Sequence, residues 1–97
     1  MEKVLYLIQH QNIPDYTKIG FTTNLKQRVA QLQTASPTGI RVIWSIKSDR
    51  ADDLEAYLHR RWSHKNTNLE WFALTHEDIV DIIFDVESKL ATKKISY

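Results

Sequence analysis

An α+β domain built on a three-stranded antiparallel sheet flanked by helices is what this chain predicts, and three observations predict it. Two strand-like runs, residues 4–8 and 16–21, are separated by a polar stretch carrying a Pro-Asp turn signal, which reads as a hairpin. A third run, 40–47, alternates between an apolar face and a more polar one. Between and after these runs lie three stretches whose apolar residues recur at helical spacing. The order is β-β-α-β-α-α, and packing helices on one small sheet suits a chain of 97 residues.

Each element has its own signal. Val4-Leu5-Tyr6-Leu7-Ile8 is apolar on both alternating faces, which predicts a central strand covered on both sides. Tyr16, Thr17, Ile19 and Phe21 make the second strand, which reaches Gly20 just before a helix begins. Asn24 suits the N-cap of that helix, with Gln27 placed to reach back to the cap amide. The helix runs from about Leu25 to Gln33, with Leu25, Val29 and Leu32 on one stripe, until Ser36-Pro37-Thr38-Gly39 breaks it. Ile40, Val42, Trp44 and Ile46 form the apolar face of the third strand. Asp49 can cap the second helix, whose first turn holds Asp52 and Asp53 at the positive end of its dipole. Leu54, Leu58 and Trp62 mark its buried stripe, with Tyr57 beside it. His64 to Asn68 reads as a polar loop and Leu69-Glu70-Trp71-Phe72 as a short extended piece. Thr75-His76-Glu77-Asp78 is a capping box opening a helix with Ile79, Ile82, Ile83, Val86 and Leu90 at helical spacing. A frayed tail is expected after Leu90.

Composition narrows the function classes. One domain over residues 1–97, with a core from about residue 3 to 90, fits the length. No apolar run approaches the roughly 20 residues that a membrane helix needs, and Met1-Glu2-Lys3 lacks the pattern of a signal peptide. The absence of cysteine removes disulfide frameworks and thiolate metal sites, so an intracellular, cytoplasmic location is expected. The net charge is only +1, but residues 16–65 carry nine Lys/Arg against four Asp/Glu, whereas residues 66–97 carry three Lys against six Asp/Glu. The basic middle of the chain is a phosphate-facing surface or a set of solvated faces.

Few side chains invite chemistry. Arg28 falls one turn into the first helix at a fixed spacing from Gly20, where a strand, a close turn and a guanidinium can meet a phosphate. Tyr6 alone reads as a core tyrosine. Glu55 and His59 are four apart and share a helix face. They are a helix-surface pair or the edge of a hard-metal site, since a single carboxylate with waters is typical for Mg²⁺. His10, His64 and His76 have no zinc-ligand spacing.

Taken together, these residues resemble the GIY-YIG endonuclease superfamily, in its branch of small phage-encoded and meiotically-up-regulated-type domains. Val4-Leu5-Tyr6 stands at the first triplet and Lys18-Ile19-Gly20 at the second. Arg28 lies eight residues after Gly20, Glu55 and His59 sit in Leu54-Glu55-Ala56-Tyr57-Leu58-His59, and Glu70-Trp71-Phe72 matches the closing motif. The resemblance spans roughly residues 4–74. It implies a three-stranded antiparallel sheet flanked by helices and metal-dependent phosphodiester hydrolysis. It also implies Tyr6 near the attacking water, Arg28 on the scissile phosphate and Glu55 holding one Mg²⁺ or Mn²⁺, with His59 facing the same groove. DNA is the expected substrate, contacted by Lys18, Lys26, Arg28 and Arg60. Three positions depart from the pattern. Lys18 replaces the first tyrosine of the second triplet, Leu32 stands one turn after Arg28, and the late asparagine has only Asn66 and Asn68 as candidates. Lys18 is expected to lower the pKa of Tyr6, to bind phosphate, or to point to solvent. A binding or interaction module on a degenerate version of the fold is the alternative.

Overall fold

The computed structural model describes residues 2–36 and 38–94. Its elements are β1 (Val4–His10), β2 (Ile13–Thr22), α1 (Leu25–Ala35), β3 (Ile40–Lys47), α2 (Ala51–Arg61), β4 (Asn66–Asn68), β5 (Trp71–Ala73) and α3 (His76–Lys94). The strands form one antiparallel sheet in the order β3-β1-β2-β5-β4. The α+β class is as expected, but the sheet has five strands rather than three. The stretch read as a polar loop holds a single 3-10 turn, Ser63–Lys65, and then β4, which pairs with β5 and adds to β2. Strands of three residues are too short to show a period in the sequence.

β1 sits between β2 and β3, which explains its apolar character on both faces. Leu5 and Leu7 point into a core shared with Ile19, Leu54, Leu58, Trp62, Phe72, Ile82 and Val86, so α2 and α3 cover this face. Val4, Tyr6 and Ile8 point the other way and are buried too. No residue of α1 joins that core, and its Arg28 acts electrostatically on Tyr6, so α1 lies toward the second side.

The helix starts were partly legible. Asn24 caps α1 by accepting from the Gln27 backbone N–H at 3.0 Å, while the Asn24 N–H donates to Thr22 Oγ1 rather than to the Gln27 side chain. The helix ends at Ala35, and Pro37, the expected breaker, lies outside the described residues. Asp49 does not cap α2; instead Ser48 Oγ accepts from the Arg50 N–H at 3.1 Å. The capping box of α3 is reciprocal: Thr75 Oγ1 accepts from the Asp78 N–H and Asp78 Oδ2 from the Thr75 N–H. This helix continues to Lys94 instead of fraying after Leu90.

Candidate active site and nucleic-acid interface

The site forms because β5 is short. It pairs with β2 only at Tyr16, Thr17 and Lys18, so the rest of that β2 edge needs other partners. The Ile19 N–H donates to the Glu70 carbonyl at 3.0 Å, and His59 Nε2 donates to the Ile19 carbonyl at 2.8 Å. A backbone hydrogen bond at Phe21 reaches Glu55. Two side chains one turn apart on α2 thus continue the ladder that β5 abandons. That duty holds a carboxylate and an imidazole beside Gly20.

Tyr6 pairs with Gly20 across β1 and β2 and fills the space that a side chain there would take. A Cβ on Gly20 would lie 2.5 Å from Tyr6 Oη and 3.0 Å from Glu70 Oε1. The hydroxyl of Tyr6 is therefore directed over the glycine toward Glu70. Lys18 Nζ forms an ion pair with Glu70 Oε1 at 3.3 Å, and its side chain is only 12% exposed. Arg28 is half-buried and makes no ion pair among the described residues.

The electrostatics follow from this crowding. Burial first, then the carboxylate of Glu70, pushes the Tyr6 phenol up to about 12; Arg28 opposes the shift and Glu55 adds to it. Of the three roles open to Lys18, pointing to solvent does not hold, since its side chain is largely buried and paired with Glu70, and Lys18 is not among the groups that shift the Tyr6 pKa. Burial also raises the Glu55 carboxyl above its ordinary value. His59, the Phe21 backbone and Lys18 pull it back, while Glu70 raises it further. His59 lies close enough to Glu55 to act on it electrostatically, and it braces the Ile19 backbone carbonyl. Its ring packs edge-on against Phe72 at 4.9 Å. Because the Ile19 carbonyl can only accept, Nε2 is the donor in this hydrogen bond.

The structure thus gathers Tyr6, Lys18, Arg28, Glu55 and His59, and adds Glu70, to which sequence reasoning gave no role in the site. Its one signal was membership of Glu70-Trp71-Phe72, next to a strand too short to recognise. Lys26 and Arg60 are exposed and make no ion pair with the cluster among the described residues. Asn66 is spent on the β4–β5 turn, where its amide donates to the Leu69 and Trp71 carbonyls, and Leu69 there takes a left-handed φ of 50°. The described residues hold no group of three or more His, Cys, Asp or Glu able to bind a metal. Glu55 and Glu70 offer hard oxygen donors, a set that fits a cation retaining most of its waters, such as Mg²⁺.

Among the described residues no helix is long and apolar enough to cross a membrane. No curated protein and no solved structure matches the chain. A family model, the T5orf172 domain, matches residues 3–87. With most of its length inside that match, the chain belongs to the T5orf172 domain family.

Proposed function

We propose that this domain is a divalent-metal-dependent endonuclease of GIY-YIG type that hydrolyses phosphodiester bonds in DNA with weak intrinsic sequence preference. Membership of the T5orf172 family is compatible with a nuclease-like or nucleic-acid-binding role. The observation that carries the finer reading is the convergence of Tyr6, Glu55 and a guanidinium free of any ion pair among the described residues, Arg28, at the open edge of β2.

In this reading Arg28 holds the non-bridging oxygens of the scissile phosphate and stabilises their growing charge. Glu55 holds one Mg²⁺ or Mn²⁺, which when bound stabilises the leaving oxygen. Tyr6 keeps its proton at neutral pH and is fully buried, so it serves as a hydrogen-bond donor in the floor of the site beneath Gly20 and Glu70 and not as a phenolate base. Glu70 is the ionisable group beside that hydroxyl and takes the proton of the attacking water. Lys18 neutralises Glu70 until a phosphate draws the ammonium away.

Labelled single- and double-stranded DNA, incubated with and without Mn²⁺, tests the reading beside a Glu55→Ala control. Metal-dependent cleavage lost in the variant supports it. Binding without cleavage under every condition sinks it in favour of a non-catalytic nucleic-acid-binding module, a second reading favoured by the lysine at position 18 and its tie to Glu70.

A further inference from the structure

A second feature lies on the face of the sheet that carries Tyr6. Directly paired residues share a face, so Tyr6, Gly20, Ile8, Lys18 and Trp71 all point to the α1 side. Tyr16, two residues before Lys18, points there as well. His10 stacks on Trp71 with ring centres 4.9 Å apart and planes 12° from parallel. The His10 ring is set from behind by the hydroxyls of Ser36 and Thr38, at 3.2 and 3.1 Å from Nδ1. These rings, with Ile13, Thr67 and Asn68, line a pocket of about 300 Å³. Tyr16 is 42% exposed and Ile13 is 44% exposed at its mouth. The Asn68 amide makes no hydrogen bond among the described residues.

We propose that this pocket binds one unpaired nucleobase of the strand whose phosphate lies at Arg28 and Lys18, which makes single-stranded or locally unpaired DNA the preferred ligand. The lining decides the chemistry. It contains three aromatic rings, one of them a phenol, with one aliphatic side chain, the Thr67 hydroxyl and one amide, and no carboxylate, lysine or arginine. Such a wall suits a planar heteroaromatic ring with donors and acceptors on its edge, and suits neither a free anion nor a metal ion. The pocket adjoins the proposed phosphate site: Lys18 Nζ lies 5.7 Å from the centre of the Trp71 ring and 3.3 Å from Glu70. Two residues of strand, about 7 Å, separate the level of Lys18 and Trp71 from that of Gly20. In an intact duplex both faces of a base are stacked and its edge is paired, so the pocket selects bases already out of the stack.

The inference rests on the phosphate-site reading above, and one binding experiment separates the two. An end-labelled oligothymidylate, a duplex of equal length, and the same strand with abasic linkers replacing its bases are titrated with protein in EDTA, at several salt concentrations. The wild type binds the base-bearing strand more tightly than the abasic one. Tyr16→Ala weakens binding of the base-bearing strand roughly tenfold with an unchanged salt slope, because stacking releases no counterions. Tyr16→Phe, which keeps the ring, binds as wild type. Equal wild-type affinity for base-bearing and abasic strands overturns the proposal, as does wild-type binding by Tyr16→Ala. If Tyr16→Ala weakens binding while Arg28→Ala does not, the pocket stands and the phosphate assignment falls. If Glu55-dependent cleavage is intact while Tyr16→Ala is silent, the nuclease reading stands and the pocket falls.

Discussion

Gly20 has a backbone any residue could adopt, since no glycine here has a positive φ, so its importance is one of space. A methyl group there would meet Tyr6 Cζ at 2.7 Å, and the fully buried Tyr6 has nowhere to retreat. Gly20→Ala should cost about 1–3 kcal/mol of stability, as overpacking does, and should abolish cleavage by displacing the hydroxyl. Chemical denaturation beside a cleavage assay checks both, and a variant of wild-type stability would show that the pairing of Tyr6 over Gly20 is loose. Glu55 works in the opposite sense. Its folded-state pKa lies above the ordinary value, mainly through burial. A raised carboxyl contributes stability below its unfolded pKa and loses it as pH rises through the folded value, so at neutral pH the ionised Glu55 is a burden on the metal-free fold. Glu55→Gln keeps an acceptor for the Phe21 N–H and sheds the charge. The variant should therefore melt higher than wild type at pH 7, while losing cleavage. An equal or lower melting temperature would mean that the carboxylate is better compensated than its surroundings suggest.

At the scale of elements, α2 substitutes for a strand. His59 supplies the donor for the Ile19 carbonyl, and Ile19 is fully buried. His59→Ala leaves that carbonyl without a partner and removes the edge contact with Phe72, so it should destabilise the fold by about 1–3 kcal/mol. Cleavage per folded molecule should fall as well, because Glu55 stands one turn away on the same face of α2. α3 is held differently, through its cap. Asp78 is partly buried, which alone would raise its pKa, yet an ion pair with Lys65 and bonds from Thr75 hold it below the ordinary carboxylate value. A depressed pKa gives stability that is present above the unfolded value and fades as pH falls through the folded one. Thr75→Ala should cost about 1 kcal/mol and make acid unfolding begin at higher pH, without touching the catalytic rate. Loss of cleavage in that variant would tie α3 to the site in a way no contact described here accounts for. This box was readable from four residues because its chemistry is local. The start of α2 was not: Asp49 is a good cap by type, yet the path of the chain makes Arg50 the N-cap with no side-chain cap bond, and Ser48 Oγ accepts from the Arg50 N–H instead.

Across the whole molecule, what the sequence conveyed is what short-range periodicity can convey. β1, β2, β3 and the three helices announce themselves through alternation or helical stripes, whereas Tyr6, Arg28 and Glu55 stood out together only through the family resemblance. The β4–β5 hairpin, and with it the place of Glu70, depends on which edge of the sheet is left bare, a property of the assembled fold. The same dependence means that the site exists only in the folded chain: it draws on β1, β2, α1, α2 and the turn before β5. A cation held by Glu55 must then stabilise the whole domain, by about 2.7 kcal/mol at a hundred times its dissociation constant. For a domain of this size that corresponds to roughly 10–20 °C in melting temperature at about 4–8 °C per kcal/mol. Mn²⁺ should raise the melting temperature of the wild type, EDTA should reverse the rise, and Glu55→Gln should show none. The rise should also shrink as pH falls. Cation and proton compete for one carboxylate, and the raised pKa of Glu55 makes that competition felt at a higher pH than for an exposed glutamate. Glu70→Gln removes a neighbouring negative charge and so lowers the pKa of Glu55, moving the proton competition to lower pH while weakening the attraction for the cation. A melting shift that survives in Glu55→Gln but vanishes in Glu70→Gln would move the metal from α2 to the turn before β5 and leave Glu55 as a brace for β2 alone.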